Sequence, residues 1–347
     1  MSADNGRTFE WILLSVLVLL ASVIGCSTGS RSGGSHSGVD AGEADVVDAG
    51  VEWDWAAEGW EMAWVVQAGG DEAYRGYPGD CSSGVSPAPG GDVFVSGYAY
   101  TDGEAVFGRM TENEITYDPV KRGIIFLARY RADGVPRWVS AASTTGVGAY
   151  DCEATSDGGA IIAGFLDVRV WGTNVFGAGE PSEVDLALEA HRSPFVARYR
   201  GDGTFDWVVA ADGEDGYGNA EGAAVTPGGE ICAVGLIRRS VRFEKADASV
   251  AISASDAARV GYVARFGEDG EPLWVRTMRG SDDLSTPKSC RGVVALEDGS
   301  CVVTCSYWGP VVLDGGESED ATFVLEAPDE SGGDPSETSA LVARYSA

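Results

Sequence analysis

Histidine is nearly absent from this sequence: His36 and His191 are the only two in 347 residues. His36 sits in a Ser/Gly-rich stretch near the N-terminus, and His191 in a variable segment between apolar runs. No histidine pair can therefore converge in a folded domain. Chemistry that relays protons through imidazole would rest on His191 alone, and an exposed loop position is the simpler reading of that residue. The part from residue 51 onward has no GxSxG elbow, no HExxH, no phosphate-binding glycine loop and no calcium-loop spacing. No CxxC or Cys/His spacing marks a zinc site. No metal, no cofactor and no catalytic residue is assigned on this basis. Carboxylates abound, and a pair about 5–9 Å apart would serve a hydrolase or lyase, but nothing in the sequence selects one pair.

Basic residues are scarce as well. The 24 Lys and Arg face 54 Asp and Glu, leaving a net charge of −30. Nucleic acid and anionic lipid are disfavoured as partners, because a field of that sign repels both. Solvated acidic loops are the ordinary reading of the surplus. Methionine is rare, at 4, whereas glycine reaches 49 and the aromatics are plentiful. Glycine-rich turns among aromatic runs point to an all-β chain.

Long apolar runs are missing but for one, Trp11–Ile24, which follows Arg7 and is broken by Ser15 and Ser22. It suits the core of an export signal and is short of the ~20 residues that span a bilayer. It ends Val23-Ile24-Gly25-Cys26. A small residue before a cysteine at this place resembles a bacterial lipoprotein box, with Ile24 bulkier than that pattern prefers. The resemblance implies cleavage before Cys26, lipid on its thiol and acylation, for instance with palmitate, of the new amino end. Several acyl chains give stable anchoring at about 0.8 kcal/mol per buried methylene. Ser27 in place of Asp implies the outer membrane. The organisation expected is a leader over 1–25, Cys26 and a flexible Ser/Gly/Asp tether over 26–50, and a folded domain over 51–347.

Within that domain one phrase recurs: Phe126-Leu-Ala-Arg-Tyr130, Phe195-Val-Ala-Arg-Tyr199, Tyr262-Val-Ala-Arg-Phe266 and Leu341-Val-Ala-Arg-Tyr345. The first three are followed by Asp133-Gly134, Asp202-Gly203 and Asp269-Gly270, then by Trp138, Trp207 and Trp274; Trp64 opens the series. Asp-Gly between alternating apolar runs is a strong hairpin signal. A second hairpin follows each tryptophan, turning at Gly90-Gly91, Gly158-Gly159, Gly228-Gly229 and Asp298-Gly299. One such unit cannot bury both faces, so the units must pack on one another.

This pattern resembles the bacterial seven-bladed-β-propeller (SBBP-like) repeat, here carried by a lipoprotein. The resemblance covers about residues 51–347 and implies exported or lipid-anchored proteins with propeller blades, without naming an activity. Four units are present instead of seven: about 51–123, 124–193, 194–259 and 260–340, with a closing strand over 341–347. The fold expected is an all-β propeller of about four blades built from ~70-residue repeats. Leu341–Tyr345 is expected beside Ala63–Ala68, closing the ring and removing open sheet edges. In the competing arrangement Glu52–Ala56 serves as first strand and the tail caps an edge.

Six cysteines remain besides Cys26: Cys81, Cys152, Cys232, Cys290, Cys301 and Cys305. They allow 15 pairings. Cys81 and Cys290 open equivalent strands of the first and last units, so a Cys81–Cys290 disulfide is expected to fasten a closed seam. The repeated tryptophans read as core packing, because they alternate with apolar residues at one position per unit. The recurrent Arg129, Arg198, Arg265 and Arg344 read as braces paired with carboxylates. Arg238, Arg239 and Arg242 form the one basic cluster in an acidic domain, and are the surface expected to meet an acidic partner, an unidentified protein or glycan. The leading expectation is a non-enzymatic binding or surface-structural module. The alternative is a hydrolase or lyase of cell-envelope polymer using a carboxylate pair.

Overall fold

The computed structural model describes residues 63–70, 81–100, 104–109, 111–117, 123–144, 147–167, 174–245, 248–252, 259–280, 286–314, 323–325 and 339–346. The leader, Cys26, the tether and Glu52–Ala56 lie outside the described residues. The described chain is all-β: strands arranged in several sheets, with no α-helix and no closed barrel. No helix among the described residues is long and apolar enough to cross a membrane.

The recurring phrase forms a hairpin for local reasons. Arg192–Tyr199 turns back into Phe205–Asp212, with Arg198 opposite Trp207 and a register shift before Tyr199. The Asp202 carboxylate accepts the Thr204 N–H at 3.0 Å, and Gly203 takes φ +90°. A short acidic side chain followed by a left-handed residue is what a bulged three-residue hairpin needs. The same hairpin joins Gly123–Tyr130 to Pro136–Thr144 and Val260–Phe266 to Pro272–Gly280.

Three sheets share one strand order. The first runs Cys81–Pro87, Val93–Tyr100, Gly123–Tyr130, Pro136–Thr144, Asn174–Phe176, Val184–Leu186. The second runs Val147–Ala154, Ala160–Asp167, Arg192–Tyr199, Phe205–Asp212, Val241–Lys245, Ala248–Ile252. The third runs Tyr217–Val225, Ile231–Arg238, Val260–Phe266, Pro272–Gly280, Val311–Leu313, Phe323–Leu325. Each sheet thus takes its first two strands from one sequence copy and the other four from the next. Neighbouring copies are knitted together by backbone hydrogen bonds as well as by side chains.

The cores lie between successive sheets. One cluster packs Phe94, Leu127 and Ile125 against Ile162, Phe195 and Tyr199; the next packs Ile161 and Val196 against Ile231, Tyr262 and Phe266. Tryptophans sit on these seams. The indole N–H of Trp64, Trp138 and Trp207 donates to the carbonyl of Ala132, Gly201 and Glu268 at 2.9, 3.2 and 3.1 Å. Each indole thus lies on the hairpin turn of the next copy. A methyl on Gly203 would stand 2.8 Å from the Trp138 ring. Gly203→Ala is therefore expected to destabilise by about 1–3 kcal/mol, from backbone strain and from displacing the indole. Gly179 has φ +80° with nothing within 4 Å of an added methyl. Gly179→Ala should cost less, and urea denaturation of the two variants measures the difference.

The repeated arginines brace these seams as expected. Arg129 pairs with Asp92 at 2.8 Å, and Arg198 with Asp157 at 2.9 Å and Glu268 at 3.2 Å. Arg265 donates to Glu230 at 2.6 Å and to the Gly299 carbonyl at 2.8 Å, and Arg344 to Ser300 at 2.9 Å and to Asp298.

Two expectations are corrected. Ser339–Tyr345 pairs with Cys301–Trp308, and among the described residues no pairing joins it to Ala63–Ala68. Its free face shows in Val342, 68% exposed, where the equivalent Leu127, Val196 and Val263 are fully buried. Val65 is likewise 77% exposed. The tail thus lies on the edge of a three-stranded sheet, and the expected closing pair is not made among the described residues. Repeats dictate pairing within and between neighbouring copies, but not whether the first and last copies meet. The disulfides follow suit. Cys290 bonds Cys305 and Cys232 bonds Cys301, so Cys290 is not the partner of Cys81. Cys290 and Cys305 are directly opposed on antiparallel strands with Cα atoms 4.1 Å apart, within easy reach without any closed seam.

Candidate functional site

Cys81–Pro87, Val147–Ala154, Tyr217–Val225 and Thr286–Ala295 each form one edge of a sheet, and each edge lies against the next. Ser86 Oγ accepts the Ala154 N–H at 3.0 Å, Asp151 the Ala223 N–H at 3.0 Å and Glu221 the Cys290 N–H at 3.1 Å. Amides that an edge strand would leave open are satisfied from the adjoining sheet. The approach is close: a methyl on Gly222 would lie 2.1 Å from the Arg291 carbonyl oxygen.

All four edge strands carry a bulge at one level. The register shifts past Ser83, Tyr150, Glu221 and Arg291. A bulge frees one residue from the alternation and re-aims its side chain. Two of these four residues, Glu221 and Arg291, line one recess of about 220 Å³, where the second and third sheets touch through a parallel bridge from Arg192 to Tyr217. Arg192 donates to the hydroxyls of Tyr150 and Tyr217 at 2.8 and 3.0 Å, and its guanidinium lies 3.4 Å from the centre of the Phe165 ring. Its buried Nε has no partner. Arg291 lies 3.7 Å from the Glu221 carboxylate. Arg238 and Arg259 complete the wall, and among the described residues neither side chain has an ion-pair or hydrogen-bond partner.

Four arginines therefore converge on one recess of a chain with only 24 basic residues. Among the described residues Glu221 is the one carboxylate that lines the recess. That carboxylate is already engaged, accepting Asn219 Nδ2–H and Ser289 Oγ–H at 3.0 Å each besides the Cys290 amide.

The cluster expected from sequence does not stay together. Arg238 ends its strand and enters the recess. Arg239 takes φ +62° and pairs with Asp215 at 2.7 Å, a carboxylate that also holds His191 at 3.1 Å. Arg242 donates to Ser249 at 3.3 Å on the outer strands. His191 is thus an exposed partner of an ion pair. Sequence reasoning missed Arg192, Arg259, Arg291 and Tyr217. The available signal was the changing residue at the bulge position, Ser83, Tyr150, Glu221 or Arg291, amid small neighbours.

A second group lies further along the same edge strands. Burial pushes the Asp151 carboxyl up to about 6 despite the backbone amides of Ala223 and Cys152. Burial and then the Asp151 charge push Glu153 up to about 7, against a hydrogen bond from Ser86. Asp151 occupies the position held by Gly84, Gly222 and Gly292 in the other edge strands. One Asp151 oxygen accepts the Cys152 N–H of its own strand, while the other and one of Glu153 are committed to strand-to-strand contacts. Among the described residues no group of three His, Cys, Asp or Glu is placed to hold a metal ion. Neither a family model nor a curated protein matches this chain.

Proposed function

We propose that this chain is an exported lipoprotein, anchored in the outer membrane through lipid on Cys26, whose propeller of about four blades is a non-enzymatic module that binds an anionic ligand. The observation that carries the binding reading is the arginine recess, in which Arg238 and Arg259 have no carboxylate partner among the described residues of a strongly acidic chain. Radial stacking is supported by the shared cores between successive sheets and by the edge strands meeting one after another. Export is supported by the leader-like run and by two disulfides among the described residues, a feature of oxidising compartments.

The test is thermal stabilisation by a panel of small anions. At least one is expected to raise the melting temperature of the wild type. Arg238→Ala/Arg259→Ala should weaken that ligand at least about tenfold, whereas Arg239→Ala/Arg242→Ala should leave it unchanged. A panel without effect on the wild type would overturn the reading. Anchoring is checked separately: Cys26→Ser should abolish palmitate labelling and release the protein from membranes.

The raised carboxyls of Asp151 and Glu153 favour a second reading, a hydrolase or lyase of envelope polymer. Polymer cleavage by the wild type that is lost in Glu153→Gln would establish it.

A further inference from the structure

We infer that the recess takes the terminal residue of an acidic glycan, a single pyranose bearing one carboxylate. This rests on the recess being an anion site, and it follows from what else lines it. A bare inorganic anion presents negative oxygens on every side, and one side would face Glu221. A sugar acid divides its chemistry as the recess does. Its carboxylate faces arginine forks, which match a carboxylate in two parallel hydrogen bonds. Its hydroxyls donate to Glu221 and accept from Asn219, which stand together at 3.0 Å on the edge strand.

Size and stiffness agree. A recess of about 220 Å³ holds one sugar ring and not a chain, so a longer glycan would leave through the open side, past exposed Arg238 and Arg259. Arg192 is held before any ligand arrives, by two tyrosine hydroxyls and the Phe165 ring. A fixed donor loses little freedom on binding, which is the condition for affinity from few contacts.

The experiment titrates the full-length protein with a hexuronate-terminated oligosaccharide, its neutral counterpart and inorganic phosphate. The acidic sugar should bind at least about tenfold tighter than either of the others. Arg238→Ala/Arg259→Ala should remove at least about tenfold of that affinity. Glu221→Gln should weaken the sugar severalfold while tightening phosphate, from which a facing negative charge is removed, and its melting curve reports any loss of the contact to Cys290. Phosphate binding as tightly as the sugar, with the same arginine dependence, would overturn the sugar assignment and leave the anion site standing. Sugar binding indifferent to Arg238 and Arg259 would overturn the placement in this recess. No binding of any anion would overturn both.

Discussion

Replacing Cys232 and Cys301 together by alanine is expected to lower the stability of the folded domain by about 2–4 kcal/mol. The bond joins two fully buried cysteines 69 residues apart in sequence. It ties the second strand of the third sheet to the second strand of the last, so the unfolded chain loses the freedom of a long loop. The effect matters most at this end of the molecule, where the final sheet has three strands and an exposed outer face around Val342. Urea denaturation measures it, and chemical reduction of the wild type should move the midpoint the same way. Cys152→Ala, at a buried free thiol, serves as control with a smaller loss. A double variant within about 0.5 kcal/mol of wild type would mean that the last sheet is held by packing alone.

Glu153→Gln is expected to stabilise the protein at pH 8 and to leave it unchanged near pH 4. Folded Glu153 titrates at about 7, against 4.5 as its ordinary value. Between those values the native state keeps the proton and the unfolded chain loses it, so stability falls as pH rises. The cost is absent below about 4.5 and complete above about 7, and the gap corresponds to at most about 3 kcal/mol. Glutamine retains an acceptor for the Ser86 hydroxyl and carries no charge, so it escapes the cost. Thermal melts of variant and wild type across pH 4–8 give the difference, with groups not coupled to Glu153 cancelling and the neighbouring Asp151 contributing through its charge coupling. Asp151 is a poorer target, since its two oxygens each accept a backbone N–H and an amide would turn a donor toward one of them. A constant difference from pH 4 to pH 8 would show that Glu153 does not ionise in this range.

These effects mark the line between what the sequence states openly and what it keeps. The hairpins at Asp133-Gly134, Asp202-Gly203 and Asp269-Gly270 are legible because turn chemistry and period-two alternation are local. The seam role of the tryptophans and the bracing by Arg129, Arg198, Arg265 and Arg344 are legible because the same side chain recurs once per copy. The disulfides were legible in principle. Cys301 aligns with Ile231, so Cys232 and Cys301 are one residue out of step and face opposite sides of their strands. Two stacked sheets need that offset to be bridged, but it is visible only once the stacking is known. The recess was not legible. It is lined by Glu221 and Arg291, whose direction is set by bulges that alternation does not encode. Two further members, Arg192 and Arg259, belong to segments that read as variable linkers. The place of Leu341–Tyr345 was not legible because the recurring phrase records pairing within and between neighbouring copies, and not whether the first and last copies meet.

The most direct measurement follows the arginine side chains themselves. In protein labelled with ¹⁵N-arginine, the Nε–H resonances of Arg192, Arg238, Arg259 and Arg291 should shift on titration with a hexuronate-terminated oligosaccharide. Those of the braces Arg129, Arg198 and Arg265, already held by carboxylates, should stay in place. Shifts confined to the braces, or spread evenly over all arginines, would contradict the assignment of the recess as the binding site.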